Sequence, residues 1–137
     1  PFKRGVFFVD DTYNANPDSM LAAIEALSEL QVIKCMVLAD MGELGEKSGH
    51  SHLEVLTKAS QRMEKVFLFG EEFAKASQKL RVGFYCVNDS LLIHEINNWV
   101  EKQIECHPKK EIAVWFKGSR FNGLEKVLKS LLKKGLN

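Results

Sequence analysis

Short apolar runs alternate along the chain with longer stretches in which apolar residues recur every three or four positions. The first run, Val6-Phe7-Phe8-Val9, is too short and too apolar for a surface helix and predicts a buried strand. It ends in two carboxylates, Asp10 and Asp11, and a polar loop follows. Asn16 is a good N-cap and Pro17 suits the first helical position, so a helix is predicted from about Pro17 to Leu30. Met20, Ala23, Ile24, Leu27 and Leu30 share its apolar face. Ile33 to Ala39 predicts a second buried strand, and the glycine-rich connection from Asp40 to Gly49 leads into a helix from about His50 to Glu64 with Leu53, Leu56, Ala59 and Met63 inward.

The alternation continues to the C-terminal end. Val66–Phe69 predicts a strand closed by Gly70, and a short helix follows from Glu71 to Lys79. Val82 to Val87 predicts a fourth strand, and Asn88-Asp89-Ser90 caps a helix with Leu92, Ile96, Trp99, Val100 and Ile104 on one face. Ile112–Phe116 predicts a fifth strand, and Lys117-Gly118-Ser119-Arg120 turns into a helix with Leu124, Val127, Leu128 and Leu131 inward. Strands alternating with amphipathic helices imply one three-layer, Rossmann-like α/β domain, with a mostly parallel sheet of about five to six strands and helices on both faces. Every strand-to-helix loop then opens on one sheet edge, where such sheets bind ligands.

Composition narrows the function classes. Nineteen basic and eighteen acidic residues leave a net charge of +1, which gives no footprint for nucleic acid or an anionic membrane. No apolar run approaches the length of a membrane span. Pro1 to Gly5 is not followed by the apolar core of a signal peptide, and with no initiator Met the chain is expected to be part of something longer. Cys35, Cys86 and Cys106 show no C-x-x-C spacing and lie in or beside apolar segments, so reduced, buried thiols are expected, as in the cytoplasm.

Candidate chemistry gathers in three loops. Asp10 and Asp11 could hold a metal or ribose hydroxyls, or cap the loop itself. The loop from Asp40 has three glycines in ten residues, but neither G-x-G-x-x-G nor G-x-x-x-x-G-K-[ST] occurs in the chain, so ATP binding by this chain alone fails on motif grounds. Lys117, Ser119 and Arg120 put two cations and a hydroxyl beside fresh helix N–H groups, a combination suited to a carboxylate or phosphate. His50 and His52, two apart, do not share a helical face, and no zinc site is expected. His52 is expected as a loop-fixing partner, and Trp99 and Trp115 as core.

Asp11-Thr12-Tyr13-Asn14-Ala15-Asn16-Pro17-Asp18-Ser19-Met20 closely resembles the start of the C-terminal domain of the Mur ligases, of the type that adds D-alanyl-D-alanine (MurF). Leu38-Ala39-Asp40-Met41-Gly42-Glu43-Leu44-Gly45, followed by His52, resembles the family's second landmark, with Ala39 where glycine is usual. Lys117-Gly118-Ser119-Arg120 resembles the third, so the landmarks span nearly the whole chain in order. The resemblance implies the third domain of an ATP-dependent ligase of peptidoglycan synthesis. In that family ATP, with Mg²⁺, phosphorylates the carboxylate of UDP-N-acetylmuramoyl-tripeptide, and the amine of D-alanyl-D-alanine attacks the acyl phosphate. The UDP-sugar domain and the central ATPase domain, which carries the P-loop and magnesium ligands, would lie outside this chain. It would close over the site and present the amine, with no catalytic residue or metal ligand of its own and no ligation alone. The resemblance puts Asp11 and Asn14 on the ATP side. Asn16, Lys117, Ser119 and Arg120 fall at the dipeptide end, with Arg120 or Lys117 on the carboxylate. Asp40, Glu43 and His52 order the loop.

A competing reading is a phospho-receiver using Asp10, Asp11, Asp40 and Lys117. Its acceptor would follow the third strand, whereas Asp40 follows the second, and Gly118 stands where receivers usually carry proline. A bare interaction module lacks an exposed apolar stripe to support it.

Overall fold

The computed structural model describes residues 5–135, so most of the N-terminal segment read for a leader lies outside the described residues. Five strands form one parallel sheet: β1 (Val6–Asp11), β2 (Ile33–Ala39), β3 (Lys65–Phe69), β4 (Phe84–Cys86) and β5 (Ile112–Lys117), in the spatial order β1-β5-β2-β3-β4. Between and after them run α1 (Pro17–Ser28), α2 (Ser48–Arg62), α3 (Glu71–Leu80), α4 (Asp89–Cys106) and α5 (Leu124–Gly135).

The strand faces explain the layers. In β2, Cys35, Val37 and Ala39 join α4 and α5 in one core, together with Phe67, Val114 and Phe116. Met36 and Leu38 point the other way and join α1, α2 and α3 in a second core with Leu68, Ile24, Leu56 and Phe73. A strand covered on both faces needs no polar alternation, which is why β2 reads as a continuous apolar run. The chain steps from β1 to β2, β3 and β4 in one direction, then returns to place β5 between β1 and β2. A single crossover hand puts the returning helix on the opposite face. Connections therefore diverge to opposite faces around β5, and a crevice opens beyond the C-terminal ends of β1, β5 and β2.

The structure corrects several expectations. α1 stops at Ser28 and Leu30 is exposed, lying past the last helical turn. β1 continues through Asp10 and Asp11, but as an edge strand it leaves Phe7 46% exposed. α2 begins at Ser48, after a 3₁₀ turn (Gly45–Lys47), and buries Val55 and His52 while Leu53 is only half-buried. β4 shrinks to three residues, because Gly83 at φ +82° turns the chain just before it.

Cys106 is exposed at the end of α4, whereas Cys35 and Cys86 are buried. Burial pushes the Cys86 thiol up to about 11 and raises Cys35 further, so neither forms thiolate near neutrality. A maleimide at neutral pH is expected to label the folded chain at Cys106 alone, and all three cysteines only in denaturant. Labelling of Cys35 without unfolding would contradict this packing.

Candidate functional site

Three loops meet at the crevice, and each is built by local chemistry. The first runs from β1 to α1. Asn16 caps α1 through a capping box: its Oδ1 accepts from the Ser19 N–H at 2.9 Å, and its own N–H donates to Ser19 Oγ at 3.0 Å. Asn14 Oδ1 accepts from the Ala15 N–H, and Asp10 Oδ1 accepts from the Thr12 N–H and hydroxyl. Asp10 is thus a loop-capping side chain.

Asp11 faces β5. Its Oδ2 accepts from Lys117 Nζ at 2.9 Å and from Trp115 Nε1 at 3.1 Å. Trp115 is therefore half-buried with a polar task, not a plain core residue. Lys117 also donates to the Asn14 carbonyl at 3.2 Å, and only 4% of it is exposed. Its ammonium fastens the first loop to β5 and is not a cation standing free in the crevice.

The second loop follows β2. Register aligns Ala39 with Phe69, which brings Asp40 beside Gly70 at the start of α3. That helix has no side-chain cap of its own; Asp40 supplies one from another element, with Oδ2 accepting from the Glu72 N–H at 2.9 Å and Oδ1 from the Phe73 N–H at 3.0 Å. Both oxygens are spent, and Asp40 is 6% exposed, so the acid the receiver reading needs has no oxygen open to a phosphoryl group. His52, fully buried edge-on against Phe73, accepts the Met41 N–H on Nε2 at 3.0 Å. The Ser48 carbonyl, 2.7 Å from Nδ1, requires the proton there, which defines a neutral tautomer. Ser48 Oγ in turn donates to Glu72, holding that carboxyl below its ordinary range. Glu43 is exposed at φ 59° and makes no hydrogen bond or ion pair among the described residues.

The third loop follows β5. Ser119 donates its N–H to the Asp40 carbonyl, and its Oγ accepts the Gly42 N–H at 2.9 Å, while Asn122 donates to the Asp40 carbonyl at 2.8 Å. Gly118 lies against Ala39: a Cβ on it would stand 2.6 Å from the Ala39 Cβ. The missing side chain at 118 makes room for alanine at 39. Arg120 is exposed, its guanidinium 5.1 Å from the centre of the Tyr13 ring, which is itself 74% exposed. It forms no ion pair among the described residues.

Asp10, Asp11, Thr12, Tyr13, Arg120 and Glu125 line a cleft of about 370 Å³ at this edge. Tyr13, Glu125, Trp115 and Asn122 are the participants that sequence reasoning missed. An aromatic ring in an otherwise polar loop was the available signal for Tyr13. No cluster of three metal-ligating side chains occurs among the described residues.

A family model described as "Mur ligase, glutamate ligase domain" matches residues 2–120. The chain belongs to the Mur ligase family. It is 34% identical over 126 residues to the UDP-N-acetylmuramoyl-tripeptide–D-alanyl-D-alanine ligase of Buchnera aphidicola, covering 91% of this chain and 26% of that protein. Against the Treponema pallidum ligase of the same name, identity is 35% over 129 residues, with 93% and 28% covered. Among solved structures, MurF from Thermotoga maritima in complex with ADP superposes with a TM-score of 0.76 at 30% identity, covering 97% of this chain and 29% of that one. A ligase from Acinetobacter baumannii, named for UDP-N-acetylmuramoylalanyl-D-glutamyl-2,6-diaminopimelate and D-alanyl-D-alanine, gives 0.78 at 28% identity over 96% of this chain. The Mur ligase domain here thus aligns with MurF-type ligases and spans about a quarter of the length of these relatives.

Proposed function

We propose that this chain is the closing, substrate-presenting third domain of an ATP-dependent ligase. That enzyme would join D-alanyl-D-alanine to UDP-N-acetylmuramoyl-tripeptide in the bacterial cytoplasm, with the UDP-sugar and ATPase domains elsewhere in the same polypeptide. The family relationship supports the reaction class. The observation that carries the division of labour is an exposed, unpaired Arg120 on a cleft lined by the first loop, the turn after β5 and the start of α5, set against a Lys117 already consumed inside the fold.

The residues here fit only a small part of a nucleotide. Asp11 keeps one carboxylate oxygen clear of Lys117 and Trp115, which suits a ribose hydroxyl, with Asn14 beside it. Nothing among the described residues would hold phosphates with Mg²⁺, and we assign those to the central domain. Arg120, with its planar guanidinium laid on Tyr13, takes the dipeptide carboxylate. Asn16, Lys117 and Ser119 hold the loops around it, and Asp40 and His52 shape the second loop, to which Glu43 adds no side-chain contact among the described residues. Fixing the carboxylate aims the amine at the acyl phosphate, and orientation of this kind lowers a barrier by several kcal/mol or more, on the order of an intramolecular reaction. Closing the domain excludes the water that would otherwise hydrolyse that intermediate.

In the full-length enzyme, Arg120→Ala is expected to raise the KM for D-alanyl-D-alanine at least about tenfold, the usual worth of a charge-assisted pair, with the KM for ATP nearly unchanged. Steady-state kinetics with each substrate varied separately decide it. An unchanged dipeptide KM sinks the assignment.

A further inference from the structure

Asp11 is held by two donors on one oxygen. In the register of β1 and β5, Val9 pairs with Trp115 and Asp11 with Lys117, so Asp11 shares a sheet face with both and lies diagonal to the indole. Lys117 Nζ at 2.9 Å and Trp115 Nε1 at 3.1 Å both donate to Oδ2, and Oδ1 has no partner among the described residues. The two donors differ in kind. An ammonium is a point charge on a flexible stem, with three hydrogens that rotate to suit, so it fixes where an oxygen lies but not how the carboxyl plane is turned. An indole offers one hydrogen on a rigid ring, and its direction completes the constraint. Trp115 is the one residue of β5 that is not buried, with its ring packed against the core under α1, α2 and α3 and its N–H turned to Asp11. Asp10 also keeps an oxygen, but its engaged one is held by Thr12 of the same loop and moves with that loop. Asp11 is instead tied to β5, the strand between β1 and β2.

We propose that Trp115 is a positioning residue: its indole N–H, together with Lys117, turns the Asp11 carboxylate so that Oδ1 faces the cleft as the acceptor for a ribose hydroxyl. This role rests on the reading of Asp11 as a ribose contact. Asp11 lines the cleft, and Trp115, packed behind it, acts only through Asp11. A hydroxyl donates best to a carboxylate oxygen in the plane of its group. Without the indole hydrogen, Lys117 still anchors Oδ2, but the plane is free to swing and the ribose contact weakens.

The test uses the full-length enzyme and steady-state ligation kinetics with two nucleotides, ATP and 2′,3′-dideoxy-ATP, which lacks both ribose hydroxyls. Wild-type enzyme is expected to favour ATP in KM by about tenfold or more, as a hydrogen bond to a charged group provides. Trp115→Phe keeps an aromatic ring against the core and removes the N–H. Its preference for ATP is expected to fall by about threefold or more, the worth of one hydrogen bond, through a higher KM for ATP with the KM for the dideoxy nucleotide unmoved. Replacing Trp115 with benzothienylalanine, an isostere carrying sulfur in place of the N–H, is expected to do the same, so the result does not hang on how phenylalanine packs. A loss of packing alone would raise both KM values together and would overturn the proposal. A preference unchanged in both variants overturns it as well. Asp11→Asn separates the two levels. Its oxygen still meets Lys117 and Trp115, so its amide turns a donor toward the ribose and the preference for ATP should vanish. If Asp11→Asn loses the preference while the Trp115 variants keep it, only the role of Trp115 fails. If Asp11→Asn keeps it, the ribose contact itself is misplaced and the role of Trp115 falls with it.

Discussion

Asp40→Ala is expected to lower the melting temperature of the chain by roughly 10 °C, corresponding to about 3 kcal/mol for a domain of this size. Among the described residues the carboxylate is the only side-chain cap on α3, and its loss strands the Glu72 and Phe73 N–H groups, the latter in a buried contact. Losing a cap costs about 0.5–2 kcal/mol, and leaving buried donors unsatisfied adds a further 1–3 kcal/mol or so. Asp40→Asn, which keeps one acceptor oxygen, should recover part of the loss.

The same geometry implicates Gly70. A Cβ there would stand 2.4 Å from Asp40 Cγ, and the residue sits at φ +107°. Gly70→Ala therefore evicts the cap as well as straining the backbone. Because both substitutions remove one contact, the double variant should lose clearly less than the sum of the singles. Thermal unfolding of the four proteins in the cycle reads this directly. Additive costs would mean that Gly70 is not there to admit Asp40.

Lys117→Met should cost about 2–3 kcal/mol of stability. Breaking a fully buried pair costs roughly 3–5 kcal/mol, but Asp11 is 35% exposed and water reaches the carboxylate left behind, so the cost falls at or below the bottom of that range. The larger effect falls on function. Lys117 joins Asp11 of β1 and the Asn14 carbonyl of the first loop to the end of β5. Without it, Asp11 and Tyr13 lose their fixed relation to Arg120. In the full-length enzyme, kcat for ligation is expected to fall by more than about tenfold, since small misplacements around a reacting centre are costly. Lys117→Arg should not rescue it, because a broader planar guanidinium does not fit a slot sized for an ammonium. Asp11→Asn combined with Lys117→Met should be less destabilising than the two singles added, since no unpaired carboxylate then remains. Urea denaturation of the variants, with kinetics alongside, provides the check. A Lys117→Met protein as stable and as active as the wild type would remove the strut from the account.

Much of the fold was legible because its signals are local. The apolar runs at Ile33–Ala39 and Ile112–Phe116 are strands buried on both faces, and such strands advertise themselves. Asn16-Pro17 with Ser19 wrote the start of α1 into the chain before any tertiary contact was needed. The ends of elements were less legible. Leu30 carries the helical period of α1 but lies beyond the last helical turn, and Phe7 reads as core until β1 is placed at an edge.

The site divides along the same line. Sequence by itself determined the five strand–helix units, the three polar loops at one sheet edge and the family those loops belong to. Tertiary structure alone decided which charged groups are spent and which remain. Asp40 caps a helix thirty residues away because the β2–β3 register sets it beside Gly70. Lys117 is consumed because β5 returns between β1 and β2 and carries it to Asp11. Arg120 stays at the surface against the Tyr13 ring, with no ion pair among the described residues, because the turn after β5 carries it out of the interlocked loops. Local patterns encode where a chain bends and what it buries; the pairing of charges depends on distances that exist only once the strands are ordered.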